Sequence, residues 1–257
     1  MSHNGNTVFS WKGGYTLLRK KSRKAPPPRP ACYAVVAAGG SSSRMQGVNK
    51  LFAPLGGRPL IAYTLLALQG SPVIDGIVIA ATADSILPIG EICKRHAIDK
   101  VKHIVVGGDT RAHSVFAGLM EVPHDISLVA IHDAARPLVS PEIIAQAVKT
   151  AARTGAAAPA VPVTDTIKQV YQNTIAGTPD RGALVHIQTP QVFDASLYKG
   201  ALHQALTQGV LLTDDCAAME RMGIRVHITQ GAYDNIKVTT PEDLALAEIL
   251  LAKRGLL

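Results

Sequence analysis

Three features of the 257-residue sequence predict an α/β domain built on a doubly wound, mostly parallel sheet. From residue 32 onward, short apolar runs alternate with longer segments of helical period. The runs are continuous rather than apolar at every second position, so both faces of the sheet are covered. Alternation of strand with helix then favours parallel pairing. Ligands in this architecture sit beyond the carboxyl ends of the strands, so function is sought in the loops that follow them.

Tyr33–Ala38 (YAVVAA) reads as the first strand and ends in a glycine–serine loop. A helix is expected near Pro59–Gln69, with Pro59 suited to a first turn. Ile77–Ala81 is the second strand and Ser85–His96 the next helix. His103–Val106 is the third strand, and a helix follows Gly107-Gly108-Asp109 as far as Glu121. Leu128–His132 is the fourth. Ser140-Pro141-Glu142 then opens a helix with an N-cap, a proline at its first position and an acid in its first turn.

Between residues 157 and 193 this rhythm breaks. Ala160–Val163, Ile167–Tyr171 and Leu184–Ile187 are strand-like and surround a turn-rich Gln172–Asp180. The stretch is expected to be an extended β-arm that meets a partner subunit, making the protein a homodimer. Ala195–Thr207 and Asp214–Met222 return to helix, Val226–Thr229 and Asn235–Val238 to strand, and a last helix starts at Pro241.

The formal charge of +7 suggests a nucleic-acid partner until it is located. Residues 1–30 hold seven of the 26 basic residues and no acid, which leaves 19 basic against 19 acidic residues in 31–257. The tail carries Pro26-Pro27-Pro28-Arg29-Pro30 and no apolar signal core, and it is expected to be a disordered extension outside the 31–257 domain. Seven charges without an amphipathic pattern are a weak footprint, so neither nucleic acid nor a membrane surface is expected as a partner. No apolar stretch approaches the length of about twenty residues that spans a bilayer. Cys32, Cys93 and Cys216 are an odd, widely spaced set without a CxxC pair. They speak against a disulfide framework or zinc site and for a reducing, cytoplasmic location.

The candidate chemistry lies where the strands end. The first strand runs into Gly39-Gly40-Ser41-Ser42-Ser43-Arg44-Met45, with Lys50 close behind. Glycines let the backbone present N–H groups to a phosphate, the serines leave room for it, and Arg44 and Lys50 would flank the same anion. A plain connection with two solvated cations is the competing reading. The spacing matches neither G-x-G-x-x-G nor G-x-x-x-x-G-K-[ST], which removes the dehydrogenase and P-loop readings. After the third strand, Gly107-Gly108-Asp109-Thr110-Arg111 and Ser114 form either a loop capped by Asp109 or a seat for a base or ribose. His132-Asp133-Ala134-Ala135-Arg136-Pro137 closes the fourth strand. Asp133 there is a divalent-metal ligand or a salt-bridged cap, and His132 reads as a packed strand residue. Asp234-Asn235-Ile236-Lys237-Val238 sets a carboxylate and a lysine three positions apart, as an ordinary surface pair would. Asp214-Asp215 reads as an acidic pair complementing a helix dipole. In the arm, Asp165-Thr166 and Asp180-Arg181 are the polar groups placed to reach a neighbouring site.

Taken together, VVAAGGSSSRM, GGDTRAHSV, HDAARP, PVTDTIK, TPQVF and DNIKVTTPEDLALAE, in this order across residues 32–252, resemble the 2-C-methyl-D-erythritol 4-phosphate cytidylyltransferases of the non-mevalonate isoprenoid pathway. That family's loop reads A-A-G-x-G-x-R-M. Here Ser42 stands where a glycine is common, and the lysine sits in Asn49-Lys50-Leu51 rather than P-K-Q; both departures touch loop shape and leave Arg44 and Lys50 in place. The resemblance implies a Rossmann-like nucleotidyltransferase that joins CTP to a polyol phosphate, with Mg²⁺ as cofactor. It implies Arg44, Lys50 and Lys237 as catalytic cations, and Gly39, Gly40, Ser41, Ser42, Gly108, Asp109 and Ser114 around the nucleotide. Asp133 and Asp234 would hold the metal. Asp133, Arg136, Lys237, Thr166 and Arg181 would hold the substrate, the last two from across a dimer. A ribitol-5-phosphate cytidylyltransferase shares this fold and chemistry, but Ala135 and Asp234 look more like the methylerythritol enzyme. A non-catalytic nucleotide sensor, the reading from another class, has no use for Arg44, Lys50, Asp133 and Lys237 together.

Overall fold

From residue 32 to residue 133 each apolar run becomes a strand, and each helical segment that follows crosses one face of the sheet. The computed structural model describes residues 8–10, 16–18, 29–40 and 49–257. In chain order its elements are β1 (Val8–Ser10), β2 (Thr16–Leu18), β3 (Cys32–Ala38), β4 (Pro54–Leu55), β5 (Arg58–Pro59), α1 (Leu60–Gly70), β6 (Gly76–Ala81), α2 (Ile86–Arg95), β7 (Val101–Val106), α3 (Arg111–Met120), β8 (Leu128–Asp133), α4 (Pro141–Thr154), β9 (Ala156–Pro162), β10 (Gln169–Tyr171), β11 (Thr174–Gly177), β12 (Val185–Ile187), β13 (Gln191–Asp194), α5 (Ala195–Thr207), α6 (Cys216–Arg221), β14 (His227–Gln230) and α7 (Pro241–Lys253).

The central sheet runs β7-β6-β3-β8-β13-β9, with β12 and β14 also paired to β9. β7, β6, β3 and β8 are mutually parallel. β13 lies antiparallel between β8 and β9, and β14 is parallel to β9. The chain enters the sheet at β3, works outward to β7, then returns to β8 on the other side of β3. That reversal opens a crevice at the carboxyl ends of β3 and β8.

Alternate residues of each strand feed different cores. Ala34 and Val36 pack with α1, α2, α4 and α7 on one face, whereas Val35 packs with α3, α5 and α6 on the other. Gly118 lets α3 lie close to the sheet, since a Cβ there would stand 2.7 Å from Val35 Cγ1. Helix ends follow the sequence signals. Ser140 caps α4 by accepting the Ile143 N–H, and Gly155 closes it with φ 83°. Thr240 and Asp243 form a capping box around Pro241 at the start of α7. The cap of α3 is Thr110, whose hydroxyl accepts the His113 N–H, and not Asp109.

Three segments differ from expectation. Asn235–Val238 is not a strand: it is an irregular crossing held by single bonds such as Val238 N–H to the Ala135 carbonyl. Gln191–Asp194 is a sheet strand that the reading placed inside the arm. Both ends of the 157–193 stretch therefore belong to the sheet, and the segment beyond it is centred on the β10–β11 hairpin. Gln172 and Asn173, at φ 47° and 60°, make the turn of that hairpin. Within the tail, β1 and β2 pair antiparallel where no structure was expected. Arg29 fastens the chain to the domain just before β3, donating to both Asp75 oxygens at 2.6 and 2.8 Å. Among the described residues no helix is long and apolar enough to cross a membrane.

Candidate active site

The crevice beside β3 and β8 holds a cavity of about 270 Å³. Its walls come from four parts of the chain: Ala37–Gly40 with Lys50 and Leu51, Asp109–Arg111 with Ser114, Asp133–Ala135, and Lys237. Ser114 is the spacer between the first two. Its hydroxyl donates to the carbonyls of Gly108 and Thr110 at 3.1 and 3.0 Å. A Cβ on Gly107 would stand 2.6 Å from that oxygen and force Ser114 to shift, whereas one on Gly39 would press on it at 3.1 Å. Lys50 starts a 3-10 turn capped by Asn49, whose side-chain oxygen accepts the Leu51 N–H at 3.1 Å.

Asp133 is the centre of the charge arrangement. Its Oδ1 accepts from Arg111 Nε at 3.2 Å, while Oδ2 faces Arg136 Nε at 3.4 Å and Lys237 Nζ at 3.1 Å. Burial opposes its ionisation, but Arg111, Lys237 and Arg136 outweigh burial and hold the carboxyl well below the usual carboxylate range. Arg111 also reaches Asp215, with Nη2 2.7 Å from Oδ2. Burial disfavours its charge, yet Asp215 and Asp133 more than compensate and keep the guanidinium protonated.

A buried polar scaffold holds this cluster. Asn235 donates its side-chain amide to Gln188 Oε1 and the Thr189 carbonyl, and its backbone carbonyl accepts from Arg136 Nη1 at 2.7 Å. Lys237 is thus delivered to Asp133 from two residues away. The Asp133 N–H donates to Thr189 Oγ1, and the Thr189 hydroxyl shares a second hydrogen bond with His132 Nδ1 at 2.9 Å. Burial depresses the His132 pKa to about 4. It is a neutral, packed residue.

Among the expected site residues, Gly39, Gly40, Lys50, Asp109, Ser114, Asp133 and Lys237 converge on the cavity. Gly108 lies just behind its wall, where a Cβ would meet His113 Cβ at 2.5 Å. Arg136 touches Asp133 without lining the cavity. Asp234 is not brought to Asp133; it pairs with Arg254, which also donates to the Leu138 carbonyl. Thr166 and Arg181 are exposed in the arm, Arg181 donating to the Thr164 carbonyl at 2.8 Å. Ser41, Ser42 and Arg44 lie outside the described residues. Arg111 was missed as a site residue. Its place one residue after the α3 cap was the available signal. Asp215, read as a dipole partner, instead turns its carboxylate inward to Arg111.

The comparison with known families decides the identity of this arrangement. Residues 32–253 match the model of 2-C-methyl-D-erythritol 4-phosphate cytidylyltransferase. The chain belongs to that family. It is similar to the enzyme of that name from Halalkalibacterium halodurans, with 45% identity over 84% of this chain and 94% of the relative. The one from Desulforamulus reducens is also 45% identical, over 86% of this chain and 96% of the relative. Among solved structures, a 4-diphosphocytidyl-2C-methyl-D-erythritol synthase from Anaerococcus prevotii superposes with a TM-score of 0.78 at 29% identity, covering 87% of this chain and 96% of that one. The Thermus thermophilus cytidylyltransferase gives 0.72 at 30% identity, covering 85% and 98%. This cytidylyltransferase-family chain is accordingly a nucleotidyltransferase.

Proposed function

We propose that the cavity transfers the cytidylyl group of CTP to 2-C-methyl-D-erythritol 4-phosphate, giving 4-diphosphocytidyl-2-C-methyl-D-erythritol and pyrophosphate for isoprenoid precursor synthesis. The observation that carries this reading is the gathering of Arg111, Arg136 and Lys237 around Asp133 at the carboxyl ends of β3 and β8. Two anions must meet for the reaction, and cations fixed in advance are what that requires. A substrate phosphate oxygen attacks the α-phosphorus, the bond to the β-phosphate oxygen breaks, and pyrophosphate departs. The phosphate is already ionised at neutral pH, so no general base is needed, which suits a site where the histidine next to Asp133 is buried and neutral. Lys50 and Lys237 both line the cavity, and Arg44 follows the same glycine loop. Their charge opposes what grows on the phosphorus and the leaving group. Ser114 and the Gly107–Asp109 turn supply a narrow seat suited to the single ring of cytosine.

Asp133 suits a Mg²⁺ ion carried on the triphosphate. It is ionised and offers only oxygen, and one carboxylate with phosphate oxygens and water is a usual Mg²⁺ environment. When bound, the ion would neutralise phosphate charge. Asp234, held by Arg254, is the weaker of the two metal candidates. The arm makes the enzyme a homodimer in this reading: Val170, Tyr171 and Ile175 are exposed apolar residues on a two-stranded hairpin. A second copy would cover them and bring its Thr166 and Arg181 to the polyol phosphate. Three buried free cysteines fit a reducing cytoplasm.

The test is pyrophosphate release from CTP with Mg²⁺ and either 2-C-methyl-D-erythritol 4-phosphate or ribitol 5-phosphate. Turnover with the first and little with the second is expected. Preference for ribitol phosphate, or ATP serving as well as CTP, would overturn the substrate assignment.

A further inference from the structure

We propose that Tyr198 and Asp215 are positioning residues for the reaction, acting together to hold Arg111 in place at the cavity wall; the inference rests on the cytidylyl-transfer reading. Four side chains form one line from the core to the cavity. The Tyr198 hydroxyl donates to Asp215 Oδ1 at 2.6 Å. Asp215 Oδ2 accepts from Arg111 Nη2 at 2.7 Å, and Arg111 Nε donates to Asp133 Oδ1 at 3.2 Å. Arg111 and Asp133 line the cavity, whereas Tyr198 and Asp215 do not.

The surroundings of Asp215 are built for this task. It occupies the cap position of α6 but makes no capping bond with its side chain. Asp214 supplies one instead, accepting the Ala217 N–H at 3.1 Å. The Asp215 carboxylate is thereby released from helix capping and turned inward, where the residue is 2% exposed. Gln191 fixes the turn from below. Its Oε1 accepts the N–H groups of Asp215 and Cys216, and its amide donates to Asp214 Oδ2 at 2.9 Å. Tyr198 is fully buried and stacks on Phe193 with centroids 4.6 Å apart, so its hydroxyl has little freedom to leave Asp215.

Nε and Nη2 form one edge of a guanidinium. With that edge committed to two carboxylates, Arg111 has spent its rotamer freedom before substrate arrives. A charge fixed beforehand need not reorganise as the phosphorus gains charge, and this lowers the barrier more than it tightens ground-state binding. A buried carboxylate without a cationic partner is costly, so Asp215 and Arg111 hold each other. Tyr198 sets the direction from which they do so.

Tyr198→Phe deletes one O–H and keeps the ring on Phe193. With CTP and 2-C-methyl-D-erythritol 4-phosphate, kcat should fall about tenfold, or roughly 1.4 kcal/mol, while KM for CTP moves by less than about twofold. Asp215→Asn should act in the same direction and carries the test if the first variant folds poorly. Combining the two should cost no more than Asp215→Asn alone, because they act in series. Ile89→Val, in the core on the opposite face of the sheet, is the structural comparator: it should lower the melting temperature and leave kcat unchanged well below that temperature. Unchanged kcat in Tyr198→Phe, multiplicative losses in the double variant, or an equal kcat loss in Ile89→Val would each overturn the positioning role. A wild-type protein inactive in the same assay would instead overturn the cytidylyl-transfer reading, and the role of Tyr198 with it.

Discussion

Replacing Asp133 with asparagine exposes the balance of charge at the site. The Asp133 side chain is 9% exposed and meets three cations within 3.4 Å. Removing one partner of a buried ion pair typically costs about 3–5 kcal/mol. Two features of the site reduce that figure. Lys237 is 39% and Arg111 31% exposed, so water screens part of the repulsion that is left. The amide also keeps one acceptor oxygen. A loss of about 2–3 kcal/mol remains, and at about 2–4 °C per kcal/mol for a domain of this size the melting temperature should fall by about 4–12 °C. The pH dependence fixes the cause. The folded-state carboxyl lies well below its ordinary value, so its contribution is complete above about pH 4. It is lost as pH falls through the lower, folded value. The gap between wild type and Asp133→Asn should therefore stay constant from pH 8 to about pH 5 and close in stronger acid. Calorimetric melting across that range measures it. No gap at neutral pH, or one that widens on acidification, would refute the account of Asp133 as the counter-charge of the cluster.

His132 titrates in a separate window. Its folded pKa of about 4 lies below the ordinary 6.5, so the unfolded chain binds more protons between those values. Stability should rise with pH from about 4 to 6.5, and His132→Asn should flatten that slope in the same melting series. Gly118→Ala should cost about 1–3 kcal/mol by overpacking α3 on the sheet. The urea midpoint should drop while m stays constant. The proposed sharing of the site between two copies predicts complementation: Arg181→Ala and Lys237→Ala chains, each nearly inactive, should recover about a quarter of wild-type turnover after subunit exchange, from random assortment under twofold symmetry. No recovery despite demonstrated exchange would place both residues in one chain's site.

The parts of this molecule that were legible in the sequence are those that one segment determines alone. YAVVAA is a buried strand whatever surrounds it, and Ser140-Pro141-Glu142 starts a helix by its own chemistry. Gly107 and Gly108 mark a turn pressed against the next helix, and the structure gives the reason in His113 and Ser114. What could not be read depends on segments that meet only in the fold. Arg111 and Asp215 stand 104 positions apart, and nothing local distinguishes an acid that complements a helix dipole from one that turns inward to a cation. Asp214 and Asp215 are adjacent and identical, yet one caps α6 and the other joins the cavity wall through Arg111. Asn235–Val238 carries strand-like residues, but the segment is a crossing whose Asn235 side-chain amide is held by Gln188 and Thr189. That crossing sets Lys237 against Asp133. The residues that escaped the reading thus share a cause: each takes its role from a buried hydrogen-bond partner that sequence spacing does not reveal. A carboxylate next to a strand end is a cue to the site. Which of several such carboxylates matters is decided by the cation that the fold carries to it.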